Sequence, residues 1–277
     1  MKYASLIPAA LMAIVALPAA AQEEAPPKAV TVSGSVAFTT DYRLRGVSQS
    51  DEGMAIQGGL TVTHESGLYG GIWGSNLAGW GAFGGSNMEL DLIAGYKTPI
   101  GGGAALDVGV TNYFYPSGLT NTYFAEPFAK LSGTVGPANA LVGVAYAPKQ
   151  KSLGNWVPSL GGAPGSKGDN LYVWGDVGSA LPGTPLTLKA HLGYSKGNKG
   201  LGPNGTSVAP SGTYWDWLLG ADLAIPSTPL TLSVAYVDTD ITAAEEARLN
   251  SAGVFANYRN GDSIADGKVV FTVSAAF

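Results

Sequence analysis

Apolar and polar residues alternate along most of this chain. The clearest stretch is 186–195, where Leu186, Leu188, Ala190, Leu192 and Tyr194 oppose Thr187, Lys189, His191, Gly193 and Ser195. A repeat of two with unequal faces predicts a β-strand whose two sides meet different surroundings. The final residues behave alike. Val269, Phe271, Val273, Ala275 and Phe277 share one parity, and Val270, Thr272, Ser274 and Ala276 the other. The same periodicity predicts twelve strands, at about 30–45, 54–63, 68–77, 88–97, 104–115, 122–132, 139–147, 170–179, 186–195, 213–224, 230–237 and 267–277. The sixth is the least regular. Pro127 cannot donate to a ladder, so a bulge or break is expected there.

The connections sort by length. Those after the even-numbered strands are short, at about 64–67, 98–103, 133–138, 180–185 and 225–229. Those after the odd-numbered strands are mostly longer, the extremes being about 148–169, 196–212 and 238–266. Short turns on one rim and long loops on the other are the habit of a membrane barrel. A Greek-key sandwich gives no reason for such sorting. Within the last loop, Thr242-Ala243-Ala244-Glu245 has capping-box spacing. A short helix is expected there, either folded in as a plug or laid over the rim.

The two faces point the same way. The polar face carries charge at mid-strand, at Glu89, Asp91, Asp107, Asp176, Lys189 and Asp216. The apolar face carries aromatics at strand ends. Tyr42, Phe114, Tyr123, Tyr146, Tyr194, Trp215 and Tyr236 lie next to long loops, and Tyr96 and Phe277 lie at the opposite rim. Rings sorted to the ends suit the two headgroup levels of a bilayer. Strands of about ten residues, tilted near 40°, span roughly 25 Å, the height of an apolar band. In hydrocarbon every unpaired backbone group costs several kcal/mol, so such a sheet must close on itself. The expected fold is all-β: a transmembrane, antiparallel, up-and-down barrel of about 12 strands with both ends on the short-turn rim.

Composition narrows the picture further. Glycine supplies 40 of 277 residues and charged residues only 13%, against about 7% and 25% ordinarily. No apolar run after residue 21 approaches the roughly 18 residues of a membrane helix. Residues 1–21 read as a secretory signal, with Lys2, the apolar run Leu6 to Leu17 and the small residues Ala19-Ala20-Ala21 in order. The remainder, 22–277, is expected to be a single barrel domain. Removing Lys2 from the 15 basic residues leaves 14 against 20 acidic ones. That balance argues against a nucleic-acid partner. Zero cysteines exclude disulfides, thiolate metal sites and cysteine nucleophiles.

Several segments together resemble the TorF-type porin family of Gram-negative bacteria. They are Thr40-Asp41-Tyr42-Arg43-Leu44-Arg45-Gly46-Val47-Ser48 and Gly67-Leu68-Tyr69-Gly70-Gly71-Ile72-Trp73-Gly74-Ser75-Asn76, followed by Glu89-Leu90-Asp91, Gly95-Tyr96, Tyr113-Phe114-Tyr115-Pro116, Tyr123 to Glu126 and Tyr236-Val237-Asp238-Thr239-Asp240. The first two are fairly specific together; the others are weak singly. A terminal strand ending on Phe277 also resembles that of outer-membrane barrels, whose assembly machinery reads a terminal aromatic. The resemblance implies an outer-membrane location, contact with lipid and lipopolysaccharide, and passage of small solutes. It supplies no demonstrated substrate.

The inward parity names the candidate lining. Asp41, Arg43, Arg45, Glu89, Asp91, Asp107, Glu126, Lys130, Asp176, Lys189, His191 and Asp216 face the lumen on this reading. Rings of such charges set pore selectivity; the alternative is a salt-bridge network that plugs the barrel. Tyr69, Trp73, Tyr113, Tyr115, Tyr172 and Trp174 share that side. They either stack on a planar solute or narrow the barrel by packing. Inward acids outnumber inward bases, so a channel would prefer cations mildly. His191 and Ser195 lie four strand residues apart, about 13 Å and beyond hydrogen-bond reach, so no catalytic set is expected. No cofactor or metal is expected either. The expected activity is passive diffusion of small hydrophilic solutes through a monomeric barrel. The alternative is a closed barrel whose long loops form a receptor or adhesion surface.

Overall fold

The computed structural model describes residues 29–78, 85–250 and 261–277. The signal assigned to 1–21 lies outside them. The strands are β1 (Val30–Thr39), β2 (Arg43–Leu44), β3 (Val47–Ser48), β4 (Ala55–His64), β5 (Leu68–Asn76), β6 (Met88–Gly101), β7 (Ala104–Phe114), β8 (Phe124–Val135), β9 (Ala138–Gln150), β10 (Gly168–Ala180), β11 (Leu186–Gly197), β12 (Thr213–Ala224), β13 (Leu230–Thr239) and β14 (Lys268–Ala276), with helix α1 at Ala243–Asn250. All except β2 and β3 form one closed barrel in chain order, each antiparallel to its neighbours. The seam joins β1 to β14 from Ser35↔Ala276 to Thr39↔Thr272. The Gly34 N–H donates to Phe277 O at 2.8 Å and the Phe277 N–H to Gly34 O at 3.0 Å. A closed ladder leaves no open edge, which is what a sheet in hydrocarbon requires.

Register follows the hydrophobic pattern. Outward residues such as Val32 (61% exposed), Ile56 (61%), Leu192 (52%) and Leu219 (63%) form an apolar belt. Rings border it: Phe114, Tyr123, Tyr146, Trp215 and Tyr236 are exposed at the loop end, and Tyr96 and Phe277 at the turn end. The predicted and observed strands agree closely, and β12 carries the predicted bounds. At Pro127 the β7–β8 register runs on without a shift. The disturbance falls on the other edge, where β8–β9 pairing stops at Phe128↔Ala145. Beyond it the Gln150 side chain substitutes for backbone. The Ala125 N–H donates to Gln150 Oε1 at 2.8 Å, and Gln150 Nε2 donates to Ala125 O at 2.9 Å.

Inward aromatic rings lie over glycines on the next strand, which accounts for part of the glycine content. A Cβ on Gly95 would lie 2.6 Å from Tyr69 Cζ, and one on Gly143 2.4 Å from Trp174 Cζ2. Tyr69↔Gly95 and Trp174↔Gly143 are directly opposed pairs. The expected helix is present. The Thr242 N–H donates to Glu245 Oε2 at 2.9 Å, and the Glu245 N–H to Thr242 Oγ1 at 3.3 Å, the two arms of a capping box.

The first strand is shorter than the alternation suggested. β1 ends at Thr39, and residues 40–54 turn into the barrel as a connection that includes the small β2–β3 hairpin. Tyr42, expected on the outer face, is therefore inside and only 3% exposed. It packs edge-on against Trp73 at 5.5 Å. The predicted stretch 30–45 had been longer than the roughly ten residues a crossing needs. That excess was the available signal that part of it leaves the wall.

Candidate functional site

The tip of the β2–β3 hairpin is a two-residue turn. Arg45 (φ 50°) and Gly46 (φ 82°) both have positive φ, as a tight hairpin turn of matching twist demands. Gly46 is required twice over. A Cβ there would lie 2.4 Å from Thr239 Cγ2 and 3.0 Å from Asp216 Cβ, so the tip is seated against β12 and β13. The turn throws the Arg45 side chain across the lumen. Its Nη2 donates to both Glu126 oxygens, at 2.8 and 2.7 Å. Its guanidinium lies 4.1 Å from the Tyr172 ring centroid, and Nη1 reaches Asn170 Oδ1 at 3.4 Å. Glu126 is on β8 and Tyr172 on β10, on the far side of the ring of strands from β1.

A second set of bonds fixes the hairpin base. Arg43 Nε donates to Asp41 Oδ2 at 2.7 Å. Arg43 Nη1 donates to Gly46 O and to Asp266 O. Asp41 Oδ1 accepts from Ser48 and Ser50 at 2.5 and 3.2 Å. Glu52 receives Arg43 Nη2 at 3.4 Å and Lys268 Nζ at 3.0 Å. Glu52, Lys268 and Asn170 were not legible as members of this set. Each of them meets a residue of the inward-folded 40–54 connection, which alternation does not identify.

The remaining predicted lining residues are inward and mostly paired. Lys130 meets Asp107 at 3.0 Å and lies 4.1 Å from the Phe128 ring centroid. Lys189 meets Asp222 at 2.6 Å. His191 Nδ1 faces Asp176 Oδ1 at 2.6 Å, and its Nε2 faces Asp216 Oδ1 at 3.1 Å. Tyr172 hydroxyl adjoins the same Nε2 at 2.8 Å. Asp176 and His191 are directly opposed across β10 and β11. With both ring nitrogens turned to carboxylates, His191 is not disposed to take a proton from Ser195. The inward aromatics are packed or hydrogen-bonded. Tyr69 donates to Asp107 at 2.8 Å, Trp174 Nε1 to Asp176 Oδ2 at 3.1 Å and Tyr113 to Glu126 Oε2 at 3.3 Å. Tyr172 and Trp174 stack at 5.3 Å.

Burial is graded along the lumen. On β11 the inward series runs Thr187 and Lys189 half-buried, then His191 and Ser195 buried. On β10 Trp174 and Asp176 are half-buried, while Asn170 and Tyr172 are buried. On β4, Thr61 and Thr63 are half-buried, and Ala55 and Gln57 are buried. In each case the accessible end is the short-turn end. Over the loop end the loops form cores of their own. One gathers Leu201, Ala209, Tyr214, Ile241, Leu249 and Ile264, with Val47 of the hairpin against it. Another joins Tyr115, Phe124, Ala147, Leu153 and Val208. Helix α1 thus covers the rim through Leu249.

Tyr42 and Tyr115 sit at the junction of these regions. Burial, and after it the Glu89 and Asp91 carboxylates, push both phenols well above the ordinary tyrosine range. Both remain neutral, and Tyr42 donates to Glu89 Oε2 at 3.2 Å. Among the described residues no group of three or more His, Cys, Asp or Glu side chains is placed to hold a metal ion. Among the described residues no helix is long and apolar enough to cross a membrane; the long elements are strands.

Solved structures share this architecture. The NanC porin is 13% identical, with TM-score 0.53 over 89% of this chain and 99% of its own. The KdgM porin, solved in complex with disordered oligogalacturonate, is 6% identical, with TM-score 0.50 over 89% of this chain and 98% of its own. At these identities the likeness is one of fold. No curated protein matches in sequence. The match that spans the barrel is to a family model over residues 22–277, and by it the chain belongs to Gcw_chp, a bacterial protein family of unknown function.

Proposed function

We propose that this chain is a porin-like channel of the Gram-negative outer membrane, akin to the TorF-type porins, passing small hydrophilic solutes by passive diffusion. The observation that carries this reading is the graded lumen. On β10–β12 a lining of partly accessible ionisable groups rises from the short-turn rim, where the Asp176, Lys189 and Asp222 side chains are 35%, 15% and 13% exposed; on β7–β8 the Lys130–Asp107 pair is buried. The lining ends on the loop side at the buried charged contact of Arg45 with Glu126. A wet, charged approach to a narrow charged filter is the usual arrangement of a selective pore. The porin fold of the structural neighbours supports it. The inward excess of acids gives the pore a mild cation preference. The protein acts as a monomer set in lipid and lipopolysaccharide, with its terminal strand read by the barrel-assembly machinery.

A second reading is favoured by the loop cores. They cover the mouth with apolar contacts, as a closed barrel with a receptor or adhesion surface would require. Conductance in planar bilayers separates the two. The pore reading expects small, discrete current steps from the pure protein and larger steps from Arg45→Ala. A barrel that inserts but passes no current in either form overturns it and leaves the closed reading. A reversal potential of the anion-selective sign overturns the charge assignment alone.

A further inference from the structure

Glu89 and Asp91 stand apart from the other inward carboxylates. Each of the others described above has a Lys, Arg or His partner; among the described residues these two have none. Glu89 is fully buried and Asp91 is 5% exposed. Glu89 Oε2 accepts from the Tyr42 hydroxyl at 3.2 Å. Glu89 Oε1 and Asp91 Oδ1 are buried with no hydrogen-bond partner. The two residues are two apart on one face of β6, so their carboxylates are neighbours about 7 Å apart at the backbone. Across the ladders Glu89 opposes Ser75, and Asp91 opposes Trp73 on one side and Tyr113 on the other. Neither row contains a cation. Arg45 is committed to Glu126, and Arg43 to Asp41 and Glu52.

Two adjoining buried carboxylates without a counter-charge are costly, because desolvation and mutual repulsion add. A proton or a cation must offset them. We propose that Glu89 and Asp91 form the core of a binding site for a hard divalent cation of the calcium class, behind the hairpin. The donor atoms at hand are all oxygens: the two carboxylates, with the Tyr42 hydroxyl on Glu89 and Ser75 directly opposite it. Such a set suits hard ions and excludes soft ones. Two carboxylates rather than three or four place the affinity at the weak end of calcium sites, on the order of 10⁻⁴–10⁻³ M. The ion would also tie the wall to Tyr42, the residue next to Arg43 at the hairpin base. This inference needs the folded barrel alone and is independent of whether solutes pass.

Terbium(III) replaces calcium in oxygen sites and luminesces when a nearby aromatic ring absorbs, and Trp73 and Tyr113 flank Asp91. The folded, detergent-solubilised protein is expected to sensitise terbium emission, and excess calcium to remove it. The Glu89→Gln/Asp91→Asn double variant is expected to lose it, and Asp222→Asn to keep it. Wild type without emission, or a double variant that keeps it, overturns the proposal. A second measurement covers a variant that folds poorly. Calcium against a chelator is expected to raise the temperature at which wild-type protein loses its heat-modifiable gel position. An unchanged transition shows that protons alone neutralise the pair, and the proposal falls.

Discussion

Along β10–β12 the two ends of the lumen are built from the same alternating strands and behave differently, although the Lys130–Asp107 pair on β7 and β8 is dry near the short turns too. Toward the short turns, Lys189 pairs with Asp222 while both keep some contact with solvent. Toward the loops, Arg45 and Glu126 pair at 6% and 4% side-chain exposure, roofed by loop cores. Ion pairs near water gain little and are screened by salt. A dry pair is screened much less, and loss of one partner strands the other. The wall does not cause the difference. It comes from residues 40–54, which fold inward on the loop side only.

This contrast can be broken by single changes. Glu126→Gln leaves Arg45 buried beside a neutral amide and is expected to cost about 3–5 kcal/mol. Urea unfolding in detergent would read it; a cost below about 1 kcal/mol would mean that Arg45 is not confined as described. Leu249→Ala removes a fully buried side chain from the loop core and is expected to cost about 2–4 kcal/mol. Its mark would be early proteolysis in the loops while the strands stay protected. Gly46→Ala strains a positive-φ position that already touches Thr239. It is expected to cost about 1–3 kcal/mol and to enlarge the current steps by unseating the tip. The Lys189–Asp222 pair should show a coupling of only about 0.2–1 kcal/mol in a double-mutant cycle, vanishing in high salt. A coupling there as large as that of Arg45 and Glu126 would erase the distinction between the halves.

Much of the wall was legible in advance. The alternation placed β12 at its observed bounds. The capping box marked α1. The wall residues named from parity, such as Asp107, Glu126, His191 and Asp216, are buried on the inner side of their strands, whereas Asp41, Arg43 and Arg45 were read as part of the wall and lie in the connection that enters the lumen. Tyr42 was misplaced because Asp41, Arg43 and Arg45 continue the strand's alternation past the point where the chain leaves the sheet. Hydrophobic pattern is blind to that exit, since alternation records residue type and not whether the backbone is still paired to a neighbouring strand.

Sequence alone determined the cylinder: period-two patterning is local, and in lipid it admits one closed, apolar-out arrangement. Only the tertiary structure decided what fills it. Arg45 and Glu126 are 81 residues apart, and Arg45 and Asn170 are 125 apart. Parity states which side of a strand a residue faces. It says nothing of which strand lies across, and closure of the ring chooses that partner.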